Sequence, residues 1–245
     1  MIALKNRFKV TDKSSMGQII FLFSILSTFT VAIAQDEKDC SDDLSKSLCL
    51  FSKPLLVGAS LTRGQGANPG GAASIIATSL NPNSQITNIS RSGAKSVDSL
   101  KDHEVPANPP SVVIGLDLFF WDAARNDCGD AFEANTKSFI KMYLDKGIPL
   151  ILGKIPKNVR YPVGYNRLLN QSLCINKINL LLEQECTIDK NCLLYNPREC
   201  LDKISEENQA AFFVDRLHTS IVGNRFCAED FIATSRFKDL KCLKN

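Results

Sequence analysis

The chain has 245 residues, 44% of them hydrophobic, with 29 Lys and Arg against 26 Asp and Glu for a formal net charge of +3. The hydrophobic share supports a folded core and excludes a disordered polar chain. The positive balance belongs to the first 34 residues, so residues 35–245 carry 25 charges of each sign and give no electrostatic reason to expect a nucleic-acid partner.

Lys5, Arg7, Lys9 and Lys13 precede a 13-residue apolar run, Ile19–Val31, which leads into Ala32-Ile33-Ala34. A basic region, a short apolar core and an A-x-A site in that order read as a signal peptide over residues 1–34, cleaved after Ala34. A membrane anchor is the lesser reading, because a spanning helix wants about 20 apolar residues. Met16 is an alternative start. The expected location is secreted or periplasmic, with no stable membrane span once the leader is removed. All nine cysteines follow the leader, and in an exported chain they read as disulfides, with one thiol left free or paired between chains. Cys40 with Cys49 and Cys227 with Cys242 are local candidates, although pairing cannot be read from spacing. Cys186, Cys192 and Cys200 lie too far apart for a zinc knuckle and no histidine is near them, so no metal or cofactor is expected.

Residues 35–52 read as a polar lead-in, 53–235 as one domain and 236–245 as a tail. Within the domain, apolar runs at 54–59, 85–90, 111–116, 149–155 and 193–196 read as strands, and 130–145 and 166–185 carry apolar residues at helical spacing. Near-continuous apolar strands alternating with helices predict an α/β domain whose parallel sheet is covered on both faces. Ligands of such sheets sit at the carboxyl ends of the strands. That points to Ser60, to Ser92 with Gly93, to Asp117 and to the loop from Lys154.

Acyl transfer by serine needs a base, a group that fixes the base's tautomer, and N–H donors for the oxyanion. Only two histidines are present. His103, in a polar, proline-rich connection, reads as a solvated loop residue. His218 follows the strand-like run Ala211–Val214, and Asp215 precedes it by three residues, a separation that puts both side chains on one side of a helical turn. The carboxylate can then hold Nδ1–H and leave Nε2 facing a hydroxyl. By itself Ser60 is as readily a turn or cap residue.

Gly58-Ala59-Ser60-Leu61-Thr62, Asn88-Ile89-Ser90-Arg91-Ser92-Gly93, and Asp215-Arg216-Leu217-His218 with Gly223 occur in that order at strand ends. In these blocks residues 53–235 resemble the SGNH, or GDSL, hydrolases. The resemblance implies a flavodoxin-like α/β/α sandwich with a parallel central sheet that hydrolyses esters through an acyl-enzyme. Carried over by position, Ser60 is the nucleophile, His218 the general base and Asp215 its orienting acid. The oxyanion hole is then formed by the N–H groups of Ser60 and Gly93 and by the residue at 117. Glycine at 93 also suits a backbone donor that approaches substrate closely.

Two positions depart from that pattern. Ala59 stands where the family has an aspartate outside the triad. Asp117 stands where the family has the asparagine that donates to the oxyanion, and an ionised carboxylate has no proton to donate. Three outcomes follow: Asp117 is protonated in an apolar site, it points away and leaves the task to a group such as Asn126, or the site is weak or dead. The aromatics of Phe119-Phe120-Trp121 read as core or pocket wall, the glycine-rich stretch 63–71 as a loop that shapes the site, and Asn88 and Asn170 head N-glycosylation sequons. The expected activity is hydrolysis of a small acyl ester of a small molecule or carbohydrate. The rival readings are an inactive binding protein on the same fold and an acyl transferase to a carbohydrate.

Overall fold

The computed structural model describes residues 42–66, 71–100, 103–158 and 163–242, and the expected leader and Cys40 lie outside them. All five apolar runs contain strands: Pro54–Leu56 (β1), Thr87–Asn88 (β2), Val112–Gly115 (β3), Leu150–Gly153 (β4) and Cys192–Tyr195 (β5). They form one parallel sheet in the order β2-β1-β3-β4-β5. The chain thus has the α/β architecture that its alternating pattern predicts.

Strand side chains alternate between the two faces, and each face has its own apolar core. Leu55, Val113, Leu150 and Leu152 pack with Phe119, Phe132, Phe139 and Tyr143 on one side. Leu56, Val112, Ile114 and Ile151 pack with Phe51, Ile76, Phe231 and Phe237 on the other. The first side is covered by Asp130–Leu144, the helix expected at 130–145, and by Ile175–Ile188. The second is covered by Ala72–Leu80 and Ile221–Thr234, which pack on each other and which the sequence pattern did not disclose. Ile221–Thr234 hides its period because Ile221 and Val222 are exposed while Asn224 is buried.

The helix expected at 166–185 is two, Val163–Leu169 and Ile175–Ile188, broken at residues 170–174. There Leu173 N–H donates to Asn126 Oδ1 at 2.8 Å and Ser172 Oγ donates to Ala123 O at 2.8 Å, bonds that a continuous helix would forgo. Leu50 and Phe51, from the stretch read as lead-in, and Phe237 and Leu240, from the stretch read as tail, belong to the second core. Asp43–Leu50 is a helix capped by Asp42, whose Oδ1 accepts from Ser45 N–H at 2.7 Å. Leu50 and Phe51 after it are fully buried, and Phe51 meets Phe237 edge-on at 5.8 Å. Each such apolar side chain contributes about 1.5–3 kcal/mol by burial.

The cysteine pairing differs from the local pairs expected. Cys49 bonds Cys242 across 193 residues, and Cys200 bonds Cys227. Cys128–Cys174 and Cys186–Cys192 complete the set among the described residues. The fold overrides proximity in sequence because it brings the helix Asp43–Leu50 against the turn Phe237–Asp239.

Candidate active site

Ser60 opens a four-residue helix, Ser60–Arg63, immediately after β1, and Gly64 in the left-handed region ends it. His218 comes from a loop closed by an antiparallel bridge between Phe213 and Thr219, with Val214 N–H donating to His218 O at 3.0 Å. The strand-like run 211–214 is in fact the end of a short helix, Gln209–Phe212, followed by that bridge. Asp215 and His218 meet without the helical turn expected of them. Asp215 Oδ1 accepts from the N–H groups of Leu217 and His218, both at 2.7 Å, which curls the loop around the carboxylate.

That curl aims the other oxygen, Oδ2, at His218 Nδ1, 2.8 Å away, and His218 Nε2 lies 3.0 Å from Ser60 Oγ. With Nδ1–H donating to the carboxylate, Nε2 is left as acceptor for the serine hydroxyl. Burial alone would raise the Asp215 pKa, but the bonds from His218 and Leu217 outweigh it and hold the carboxyl below its ordinary value. A serine, a base and a carboxylate, spread over 158 residues of sequence, are thus hydrogen-bonded in series.

Asp117, two residues past β3, is buried and turned toward the serine's own helix. Its Oδ1 accepts from Ala59 N–H at 3.0 Å and Thr62 Oγ1 at 2.5 Å. Its Oδ2 accepts from Leu61 N–H at 2.8 Å and Thr62 N–H at 3.4 Å. The carboxylate therefore bonds the amides on both sides of Ser60 and leaves that of Ser60 untaken. Burial pushes its pKa up, against the pull of these donors. Gly58 is required beside it, since a Cβ there would sit 2.4 Å from Asp117 Oδ1. Both carboxylate oxygens of Asp117 are thus engaged by the turn that carries Ser60.

No protein-family model matches the sequence, and no curated protein matches it significantly. Solved structures do match in shape. A variant of Axe2, an acetyl xylan esterase from Geobacillus stearothermophilus, superposes with a TM-score of 0.55 over 79% of this chain and 97% of its own, at 17% identity. A member of the lipolytic G-D-S-L family from Veillonella parvula gives 0.54 over 74% and 97%, at 15% identity. TesA gives 0.52 over 74% and 97%, at 19% identity. This chain has the SGNH hydrolase fold.

At the next strand end of the SGNH fold lies Gly93, whose φ of 72° is a left-handed conformation open to glycine. A Cβ added there would meet nothing within 4 Å, so the turn's geometry explains the glycine rather than crowding by the protein. The segment after β3 clamps this turn. Arg125 Nη2 donates to Gly93 O at 3.0 Å, Lys95 pairs with Asp127, and the buried Asp122 accepts from Ser96 N–H at 2.8 Å and Ser96 Oγ at 3.0 Å. Burial lifts the Asp122 pKa to about 6, with the Ser96 bonds pulling the other way. Nothing in the spacing of the sequence singled out Asp122 or Thr62, whose partners lie on other loops.

The remaining candidates have partners within the fold. Asn126, offered as a substitute donor, is exposed and spends Oδ1 on Leu173 N–H. His103 is half-buried rather than solvated: Nε2 bonds Tyr143 Oη, the ring packs against Phe139, and burial lowers its pKa. Asn88 spends Nδ2 on Thr62 O at 3.1 Å and Oδ1 on Ser90, which leaves its amide engaged within the fold. Lys154 pairs with Glu183 at 2.5 Å. Beside the serine helix, toward β4 and β5, an apolar pocket is lined by Leu61, Phe120, Ile155, Tyr195 and Leu201; Ser60 and His218 are not part of its wall. Among the described residues no cluster of His, Cys, Asp and Glu could hold a metal ion.

Proposed function

We propose that the protein is an exported serine hydrolase that cleaves a small acyl ester, with Ser60, His218 and Asp215 as its triad. The observation that carries this reading is the series Ser60 Oγ to His218 Nε2 at 3.0 Å and His218 Nδ1 to Asp215 Oδ2 at 2.8 Å. In this reading Ser60 Oγ attacks the ester carbonyl as its proton passes to His218 Nε2, and Asp215 stabilises the imidazolium. The tetrahedral oxyanion faces the N–H groups of Ser60 and Gly93. Its collapse returns the proton to the departing alcohol and leaves an acyl-serine. Water, deprotonated by His218, then releases the acid and restores the serine.

The hole so formed has two backbone donors, since Asp117 supplies none. Loss of one donor typically costs about 100- to 1000-fold in turnover, so a slow hydrolase is expected. The same observation favours the second reading, a binding protein without turnover. An acetyl xylan esterase among the fold's neighbours supports acetylated carbohydrate as a substrate class. Export is supported by the order of the leader and by four disulfides. No helix among the described residues is long and apolar enough to cross a membrane.

Labelling with a fluorophosphonate at pH 5 to 9 tests the nucleophile. Covalent labelling of the wild type, absent in Ser60→Ala, is the expected result. No serine-dependent labelling across that range would leave the binding-protein reading, and a product that depends on an added sugar acceptor would mark a transferase.

A further inference from the structure

The loops that carry the proposed machinery are unlike the rest of the chain in charge and in residue type. Lysines outnumber arginines 19 to 10 overall. The loops at 57–66, 89–95, 116–129 and 213–220 reverse this, with Arg63, Arg91, Arg125 and Arg216 against the single Lys95. All four arginines are exposed, and none forms an ion pair among the described residues. Of the carboxylates on these loops, Asp127 pairs with Lys95, and Asp215, bonded to the His218 imidazole, is one negative charge against four guanidinium groups. Asp117 and Asp122 are buried and face their own hydrogen-bond donors.

Each arginine is tied to the site through the backbone. Arg63 closes the helix that Ser60 opens. Arg91 N–H donates to Gly58 O at 2.9 Å, next to the serine turn, and among the described residues its guanidinium reaches the carbonyl of Asp98, at 3.4 Å. Arg125 holds Gly93 O, and Arg216 lies between Asp215 and His218. An excess of unpaired guanidinium around a cleft raises the local concentration of anions, and arginine suits the planar, two-pronged recognition of carboxylate or phosphate better than lysine.

We infer that the substrate is an anionic ester, one whose body carries a carboxylate or phosphate that these arginines receive while the acyl group lies at Ser60. The inference rests on the hydrolase reading for its chemistry and on the arginines alone for its charge. The test compares 4-acetoxybenzoate with its neutral methyl ester, each kcat/KM corrected for that ester's own hydroxide-catalysed rate; 4-acetoxyphenyl phosphate distinguishes phosphate from carboxylate. The expected result is a preference of about tenfold for the anionic esters at about 10 mM salt, fading toward parity near 0.5 M as screening shortens. In the triple variant Arg63→Gln, Arg91→Gln, Arg216→Gln the preference falls at least about threefold.

Binding to Ser60→Ala reads the same preference without turnover, by fluorescence of Trp121, the sole tryptophan, which has Arg125 stacked 5.2 Å from its ring centre. Equal affinity for charged and neutral esters at low salt, or a preference that survives the triple variant, overturns the inference. Serine-dependent turnover of the methyl ester without preference also overturns it and leaves the hydrolase reading standing. Anion-selective binding with no turnover of any ester does the reverse.

Discussion

Replacing Asp117 by asparagine installs the residue type that the SGNH hydrolases, which the sequence resembles, have at this position, and on sequence grounds alone that change should supply an oxyanion donor and raise turnover. The structure reverses the expectation. Backbone N–H groups face both carboxylate oxygens, Ala59 on one side and Leu61 and Thr62 on the other. An asparagine has one oxygen to offer. With that oxygen on Leu61 and Thr62, its amide can donate to Thr62 Oγ1, but Ala59 N–H is left buried without an acceptor. An orphaned buried donor costs about 1–3 kcal/mol, trimmed by relief of the desolvation that now raises the Asp117 pKa. For a domain of this size each kcal/mol lowers Tm by about 2–4 °C. Asp117→Asn is therefore expected to melt about 2–12 °C lower and, because Ser60 sits in the loosened turn, to turn over a phenyl acetate more slowly. Calorimetry and steady-state kinetics on the same preparation check both. An unchanged Tm with faster turnover would refute the account and put the Asp117 side chain on the substrate side of the turn.

Two further substitutions separate mechanism from stability. Asp215→Asn keeps an oxygen for Leu217 and His218 N–H but turns an amide toward Nδ1, which forces the proton onto Nε2, so turnover should fall about ten-thousand-fold while Tm moves little; a matched loss of fold and activity would contradict this. Asp122 has a folded pKa of about 6 against an ordinary value of 3.8, so the folded protein holds that proton more tightly than the unfolded chain. Stability then declines as pH rises from about 4 to about 6, by up to about 3 kcal/mol, and is level above. Ser96 offers one backbone N–H and one rotatable hydroxyl, so Asp122→Asn keeps both bonds and should flatten that decline in urea titrations at pH 4.5 and 7.

The parallel sheet was legible because its strands are apolar on both faces, and Ser60, Asp215 and His218 could be singled out because, with Gly93, they occur in the order of the hydrolases the sequence resembles; the hydrogen bonds that join the three are seen only in the structure. The fate of Asp117 was not. Its partners lie 55 to 58 residues away, and no local pattern says which way a side chain turns at the end of β3. The aspartate–histidine pair was found for a reason that does not hold, a helical turn, when the bonds from Asp215 to its own loop create the meeting. The packing of residues 42–51 and 236–242 on the sheet could not be read from the sequence, because their apolar residues are few and widely spaced. Leu50, Phe51, Phe237 and Leu240 form a packed set only after residues 42–51 and 237–242 are side by side.

The bond between Cys49 and Cys242 turns that packing of distant segments into an order of events. A chain made from its N-terminus onward presents Cys49 early and Cys242 last, and the two are 193 residues apart. Loop closure on that scale removes about 5 kcal/mol of freedom from the unfolded chain in the simplest entropic account. The clasp can close only once the residues between its two cysteines have been made, so a product truncated before Cys242 cannot form it.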